Sequence, residues 1–308
     1  MKINEVILNN GVKMPQIGLG TFLIPKENLS RTIAQAYEMG YRQFDTAWRY
    51  HNEQEIAKAL KENGINRQDV FITTKINRDA FFVNNYKVGK KRILNIPNFR
   101  PISSVIQESF DNLGTDYIDL FLVHWPYPMK LAQKMYAEMT KYYKEGRIRA
   151  IGVCSSLPPH IQAFEDVSDV VPAVNQFEIS PLNTQKKLIE FCQNKGIVVE
   201  AMSTFSHFRS ITPRTEILEN ETIDIVAKKY GKTIAQVILR WLLQQNIVII
   251  PKTWNPRHLE ENITLYDFEL NDDDMKIIDS LDKGKFLNYN PYLTWNLMQS
   301  KYRRWTGF

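Results

Sequence analysis

With 308 residues, 44% of them hydrophobic and the aromatics spread along the whole chain, the protein buries a large core without a metal or disulfide staple. The formal charge of +5 comes from 39 basic and 34 acidic residues that are interleaved, so no nucleic-acid footprint is expected. The two cysteines lie in apolar contexts with no CxxC pair, and no run approaches the ~18 apolar residues of a membrane span, which points to a reduced cytoplasmic protein with no membrane partner.

In chain order, the first predicted element is a β-hairpin within residues 3–14. Asn10-Gly11 between Ile3 to Leu8 and Val12 to Met14 supplies the positive φ angles of a tight turn. Eight candidate strands follow: Gln16 to Gly20, Gln43 to Ala47, Val70 to Ile76, Tyr117 to His124, Ile148 to Cys154, Ala173 to Phe177, Ile197 to Ser203 and Ile247 to Lys252. Helical periodicities separate them at about Leu29 to Met39, Glu53 to Asn63, Ser103 to Leu113, Leu131 to Glu145, Pro159 to Glu165, Thr184 to Lys195 and Thr233 to Gln245. Further helical stretches near Arg257 to Asn262 and Asp272 to Leu281 close the series.

Runs such as IDLFLV and IVII are nearly unbroken in apolar character, as strands buried on both faces of a helix-covered parallel sheet must be. A doubly wound open sheet would also alternate, but Gly18-Leu19-Gly20 lacks the third glycine of a dinucleotide fingerprint and reads as a tight strand end. With no repeat, linker or low-complexity segment, one α/β domain over residues 1–308, a (β/α)8 TIM barrel, is expected. Two long segments break the rhythm. Residues 77–101 carry Phe81, Phe82 and Tyr86 with Lys87, Lys90, Lys91 and Arg92; residues 285–308 carry Tyr289, Tyr292, Trp295, Tyr302 and Trp305 with Lys301, Arg303 and Arg304. Both read as lids over a pocket at the C-terminal face.

Asp45, Tyr50, Lys75 and His124 each fall at or just past the end of what reads as a different strand-like run, and in a barrel such ends converge on one mouth. Singly, each has an ordinary structural reading. Together they describe a proton relay for carbonyl reduction, with Tyr50 donating to a developing alkoxide. An ammonium about 4 Å from a phenol is worth roughly 4 kcal/mol at an effective dielectric of 20, so Lys75 is expected to lower the Tyr50 pKa by about two to three units. Asp45 keeps Lys75 charged, and His124 donates to the carbonyl oxygen. His51 and Glu55 share an i, i+4 spacing but have no second ligand pair, so no metal is expected, and Ser155-Ser156 lacks the glycines of a nucleophile elbow.

The segments GYRQFDTAWRYHNE, FITTKI, YIDLFLVHWP, GRIRAIGV, VPAVNQFEISP, KYGKTIAQVILRW and IPKTWNPRHLEENITLYDFEL resemble the aldo-keto reductases over nearly the whole chain. The resemblance implies a barrel that binds NADP(H), with NAD(H) as a possible substitute, and a catalytic tetrad of Asp45, Tyr50, Lys75 and His124. It implies cofactor contacts from Thr21, Cys154, Ser155, Gln176, Met202 and Ser203, and, toward the adenine end, from Lys252, Thr253, Asn255, His258, Glu261 and Asn262. Cys154-Ser155 stand where the family has Ser-Asn, Met202 where it has an aromatic, and His258 where it has an arginine. Phe22, Trp48 and Trp125 match pocket-wall positions.

The expected substrate is a small carbonyl compound, and the basic loops leave open an anionic one; no obligate protein partner is implied. Two rival readings stay open: a lyase using Lys75 as a Schiff-base nucleophile, and a nicotinamide-nucleotide-binding redox sensor with little turnover.

Overall fold

The computed structural model describes residues 3–83, 87–88, 91–92, 96–97, 100–205, 215–286 and 291. Strands Leu19–Gly20, Gln43–Asp45, Phe71–Ile76, Ile118–Val123, Ile148–Cys154, Val174–Glu178, Val198–Met202 and Val248–Ile249 form one sheet in which each pairs in parallel with the next in the chain. The sheet closes through a parallel bridge between Ile17 and Ile249, with Gly18 N donating to Ile249 O at 2.8 Å and Ile249 N to Gln16 O at 3.0 Å. The result is the (β/α)8 barrel that the strand and helix alternation predicts.

Side-chain alternation divides the barrel into two cores. Outward residues such as Ile72, Ile76, Phe121 and Val123 pack under the surrounding helices. Inward residues such as Phe71, Leu120, Leu122, Ala150 and Val174 join Val6, Leu8 and Met14 of the hairpin, which therefore plugs the N-terminal end of the barrel. Asn9 and Asn10 fasten that plug by donating to the carbonyls of Pro172 and Arg149. The opposite, C-terminal end is left for chemistry.

The hairpin differs from the sequence expectation in its turn. Strands Glu5–Ile7 and Lys13–Pro15 pair antiparallel, but Gly11 N donates to Leu8 O and Leu8 N to Val12 O, giving a three-residue loop. Only Gly11 has positive φ, at 84°; Asn10 does not, so this is a turn plus bulge and not a two-residue Asn-Gly turn.

All nine predicted helices are present, among them Lys26–Met39, Glu53–Glu62, Met129–Lys144 and Pro256–Ile263. Among the described residues two helices escaped the sequence reading: the short Thr215–Leu218, and Glu221–Tyr230, whose Ile223, Val226 and Ala227 are buried and whose first turn is capped by the Asn220 side chain accepting from Ile223 N. In residues 77–101 the described backbone forms two short antiparallel ladders, Phe82–Val83 with Ile96–Pro97 and Lys87–Val88 with Lys91–Arg92. The side chains of 82–99 and the predicted C-terminal lid beyond residue 286, apart from Pro291, lie outside the described residues.

Tight strand packing depends on two missing side chains. A Cβ on Gly152 would sit 2.5 Å from Val174 O and 2.7 Å from Leu122 Cδ2, and one on Gly20 would sit 2.8 Å from Ile250 O, where the first and last strands meet. Backbone atoms in a closed sheet cannot step aside. Gly152→Ala is therefore expected to lower the unfolding free energy by about 1–3 kcal/mol, read as an earlier denaturant midpoint; an unchanged midpoint would show that the neighbouring strands yield freely.

Candidate active site

The alternation that builds the inner core also selects the site. Phe71, Thr73 and Lys75 face inward on one strand, Leu120 and Leu122 on the next with His124 continuing their parity, and Cys154, Gln176 and Met202 follow on later strands. Asp45 ends one strand and Lys75 is the last inward residue of its neighbour, so their side chains meet at the C-terminal end. Tyr50 closes the short helical turn Trp48–Tyr50, where its N–H donates to Ala47 O. The four residues thus come from three strands and not four, because Asp45 and Tyr50 share the exit of Gln43–Asp45.

Lys75 Nζ donates to Asp45 Oδ2 at 2.5 Å and to Thr46 O at 2.8 Å, with both charged side chains almost wholly out of water. Burial alone would strip the Lys75 proton, but the Asp45 charge and hydrogen bond, with help from Tyr50, raise its pKa above the ordinary lysine value. The ammonium lies 5.2 Å from the Tyr50 ring centroid, close enough for its charge to favour the phenolate. The edge of that ring meets His124 with centroids 5.7 Å apart, so all four side chains share one small volume.

The direction of the Tyr50 shift corrects the sequence expectation. Burial raises the phenol pKa more than Lys75 lowers it, and Asp45 adds to the rise, so the net displacement is upward. The pairwise arithmetic left out desolvation of the phenolate. Tyr50 consequently holds its proton throughout the neutral range, which is the state a proton donor requires. His124 is displaced the other way: burial, Lys75 and Arg49 all disfavour the imidazolium, so its ring is neutral.

Beneath this layer lies a polar cluster that the sequence reading missed. Gln176 Nε2 donates to Asp45 Oδ2 at 3.0 Å and to Glu200 Oε2 at 2.6 Å, and Gln43 Nε2 donates to Glu200 Oε1 at 2.7 Å. Glu200 is fully buried, and burial followed by the Asp45 charge pushes its pKa up to about 7, against the hydrogen bonds of the two glutamines. Asn52 ties the strand exits above it, accepting from Thr46 Oγ1 at 2.5 Å and donating to Thr21 Oγ1 at 3.1 Å, while Thr21 Oγ1 donates to Asp45 O. A charged residue at an inward position of an otherwise apolar strand, as in VVEAM, was the available signal for Glu200.

The residues implied for the cofactor occupy two regions. In the first, Cys154 Sγ lies 3.9 Å from Gln176 Oε1 and burial raises its thiol pKa, Ser155 N donates to Gln176 O, and Ser155 and Ser203 take left-handed backbone angles at strand exits beside Met202. In the second, Lys252 and Thr253 follow the last strand, and Asn255 caps Pro256–Ile263 by accepting from Arg257 N. Lys252 is half-buried, and desolvation lowers its pKa; His258 is exposed beside Arg257, which pairs with Glu261 at 3.3 Å, while Asn262 is buried. A helix N-terminus flanked by three basic side chains is a donor set that fits a phosphate-bearing cofactor. Glu55, considered with His51 for a metal, is instead ion-paired to Lys26.

Two of the three predicted pocket aromatics touch the phenol and the imidazole, and the third contacts His51. Phe22 packs on Tyr50 with centroids 4.6 Å apart, Trp125 stacks on His124 at 5.6 Å, and Trp48 meets His51 edge-on at 5.6 Å.

Comparison with known proteins agrees with this geometry. The Aldo/keto reductase family profile matches residues 16–283. The chain is 36% identical to a glyoxal reductase of Bacillus subtilis (strain 168), over 94% of this chain and 96% of that protein, and 36% identical to the methylglyoxal reductase DkgA of Escherichia coli O157:H7, over 92% and 95%. A crystal structure of a Gox0644 mutant in complex with NADPH superposes with a TM-score of 0.81 at 30% identity, covering 95% of this chain and 98% of that one. The chain belongs to the aldo/keto reductase family.

Glu200 gives the site a pH signature. The folded protein binds a proton that the unfolded chain, with a carboxyl near 4.5, has released, so this contribution to stability is full below about pH 4.5 and is lost as pH rises through about 7. Relative to Glu200→Gln, the wild type is expected to lose about 1–3 kcal/mol of unfolding free energy between roughly pH 5 and pH 8. Denaturant titrations of the two proteins across that range check it, and parallel stability curves would contradict it.

Proposed function

We propose that this member of the aldo/keto reductase family reduces a small aldehyde or ketone with NADPH, and that Tyr50 is the proton donor. The observation that carries the reading is the buried ammonium held beneath a protonated phenol, with a neutral imidazole at its edge. When bound, the cofactor supplies a hydride to the carbonyl carbon. As negative charge grows on the carbonyl oxygen, the Tyr50 O–H transfers its proton there, and an alkoxide is a strong enough base to take it from a phenol whose pKa is raised. Lys75 stabilises the phenolate left behind, Asp45 keeps Lys75 charged, and His124 donates an N–H to the same oxygen and sets which face is presented.

Lys252, Thr253, Asn255, His258, Glu261 and Asn262 would hold the adenine end, and Thr21, Cys154, Ser155, Gln176, Met202 and Ser203 the nicotinamide end. Phe22, Trp48 and Trp125 wall the substrate space, which supports a small, planar carbonyl compound. The names of the glyoxal and methylglyoxal reductases favour a short dicarbonyl within that class. The basic side chains behind the anionic alternative, Lys87, Lys90, Lys91, Arg92, Lys301, Arg303 and Arg304, lie outside the described residues.

We place the enzyme in the cytoplasm on the support of two buried free thiols, Cys154 and Cys192; among the described residues no helix is long and apolar enough to cross a membrane. The Schiff-base reading is disfavoured, because an imine-forming lysine must be neutral and Lys75 is locked as an ammonium.

Tyr50→Phe is expected to keep NADPH affinity, measured by fluorescence titration, and to lose about 10²-fold or more of kcat in a nicotinamide-absorbance assay with methylglyoxal. Full turnover in that variant would overturn the assignment of Tyr50.

A further inference from the structure

The geometry points to Asn77 as a positioning residue that fixes His124 with its proton on Nε2 and aims that N–H at the substrate oxygen. In catalysis this rests on the reductase reading above. Asn77 is the first residue after Phe71–Ile76, and it is fully buried. Its Oδ1 accepts the Asp79 backbone N–H at 2.8 Å, so the side-chain amide has only one orientation available. Its Nδ2 then lies 3.3 Å from His124 Nδ1.

An amide nitrogen donates and does not accept. Nδ1 must therefore present a lone pair, and the single proton of a neutral imidazole is left on Nε2. A proton on Nδ1 would set two donors against each other and leave the substrate oxygen facing a bare ring nitrogen. The ring itself has little freedom, being stacked on Trp125, edged by Tyr50 and anchored where His124 N donates to Ile76 O at 2.9 Å. The charged groups acting on it are Lys75 and Arg49, both of which oppose a second proton, and Arg49 is paired in turn with the Asp79 carboxylate. Among the described residues no other hydrogen bond selects between its two nitrogens.

Asn77→Asp tests the idea with little change of shape. The carboxylate still accepts from Asp79 N, but it now presents an acceptor to Nδ1. In two-bond 15N–1H spectra of histidine-labelled full-length protein, with His124 assigned through His124→Gln, the wild type should show protonated Nε2 and bare Nδ1 at neutral pH. In Asn77→Asp the proton should move to Nδ1 and the ring should titrate at higher pH, with kcat/KM for methylglyoxal falling about tenfold or more and NADPH affinity nearly unchanged. A wild-type spectrum with Nδ1 protonated, or an Asn77→Asp variant whose spectrum and pH–rate profile match the wild type, would overturn the inference. Should the variant fail to fold, the wild-type spectrum alone decides. A wild type with protonated Nε2 but no turnover on any carbonyl would sink the reductase reading while sustaining the hold of Asn77 on the tautomer.

Discussion

A lysine ammonium buried inside a β-barrel is stable only if something repays its lost hydration, and here that debt falls on Asp45. Removing two such ions from water costs several kcal/mol each, and a contact of 2.5 Å supplemented by Thr46 O and Gln176 Nε2 is the kind of geometry that offsets it. Replacing both residues with apolar ones of similar size would be a simpler way to fill the space. What the pair supplies is a fixed positive charge beside a phenol, in a place where burial would otherwise forbid it.

The barrel provides that place by its alternation and its closure. Every second residue points inward, so one turn of parity brings Asp45, Lys75, His124, Cys154 and Gln176 to the same end while the hairpin fills the other. The polar layer below is built by the same rule. Glu200, Gln43 and Gln176 form a hydrogen-bonded floor that joins the strands on either side of the closure and restrains the carboxylate on which Lys75 depends. Desolvation also governs the phenol and the imidazole, holding one protonated and the other neutral, so a single physical cause prepares both donors.

Much of this was legible in the sequence. The alternation of strand-like and helix-like segments marked all eight strands, and their ends were misjudged by only a few residues, as where Ile247 to Lys252 shortens to Val248–Ile249. The helix Glu221–Tyr230 was missed because its polar first turn, ENET, masks the i, i+3, i+4 spacing of Ile223, Val226 and Ala227. Asp45, Tyr50, Lys75 and His124 were readable from their positions past strand ends. Asn52 and Asn77 were not, because nothing local distinguishes a buried, hydrogen-bonded side chain from a solvated one, and the contacts of Asn52 with Thr21 and of Asn77 with His124 span 31 and 47 residues; Glu200 left a local signal in VVEAM, but its partner Gln43 lies 157 residues away. The sign of the Tyr50 shift was lost for a related reason, since pairwise Coulomb arithmetic knows distance but not burial.

The measurement that bears most directly on the account is the ionisation of Lys75 itself, followed by NMR of its side-chain nitrogen or ε-carbon protons in the wild type and in Asp45→Asn. With Asp45 present, Lys75 should remain charged at least to the ordinary lysine range near 10.5, and without it burial should pull the transition down by several units. A Lys75 already neutral near pH 7 in the wild type would contradict the account at its base.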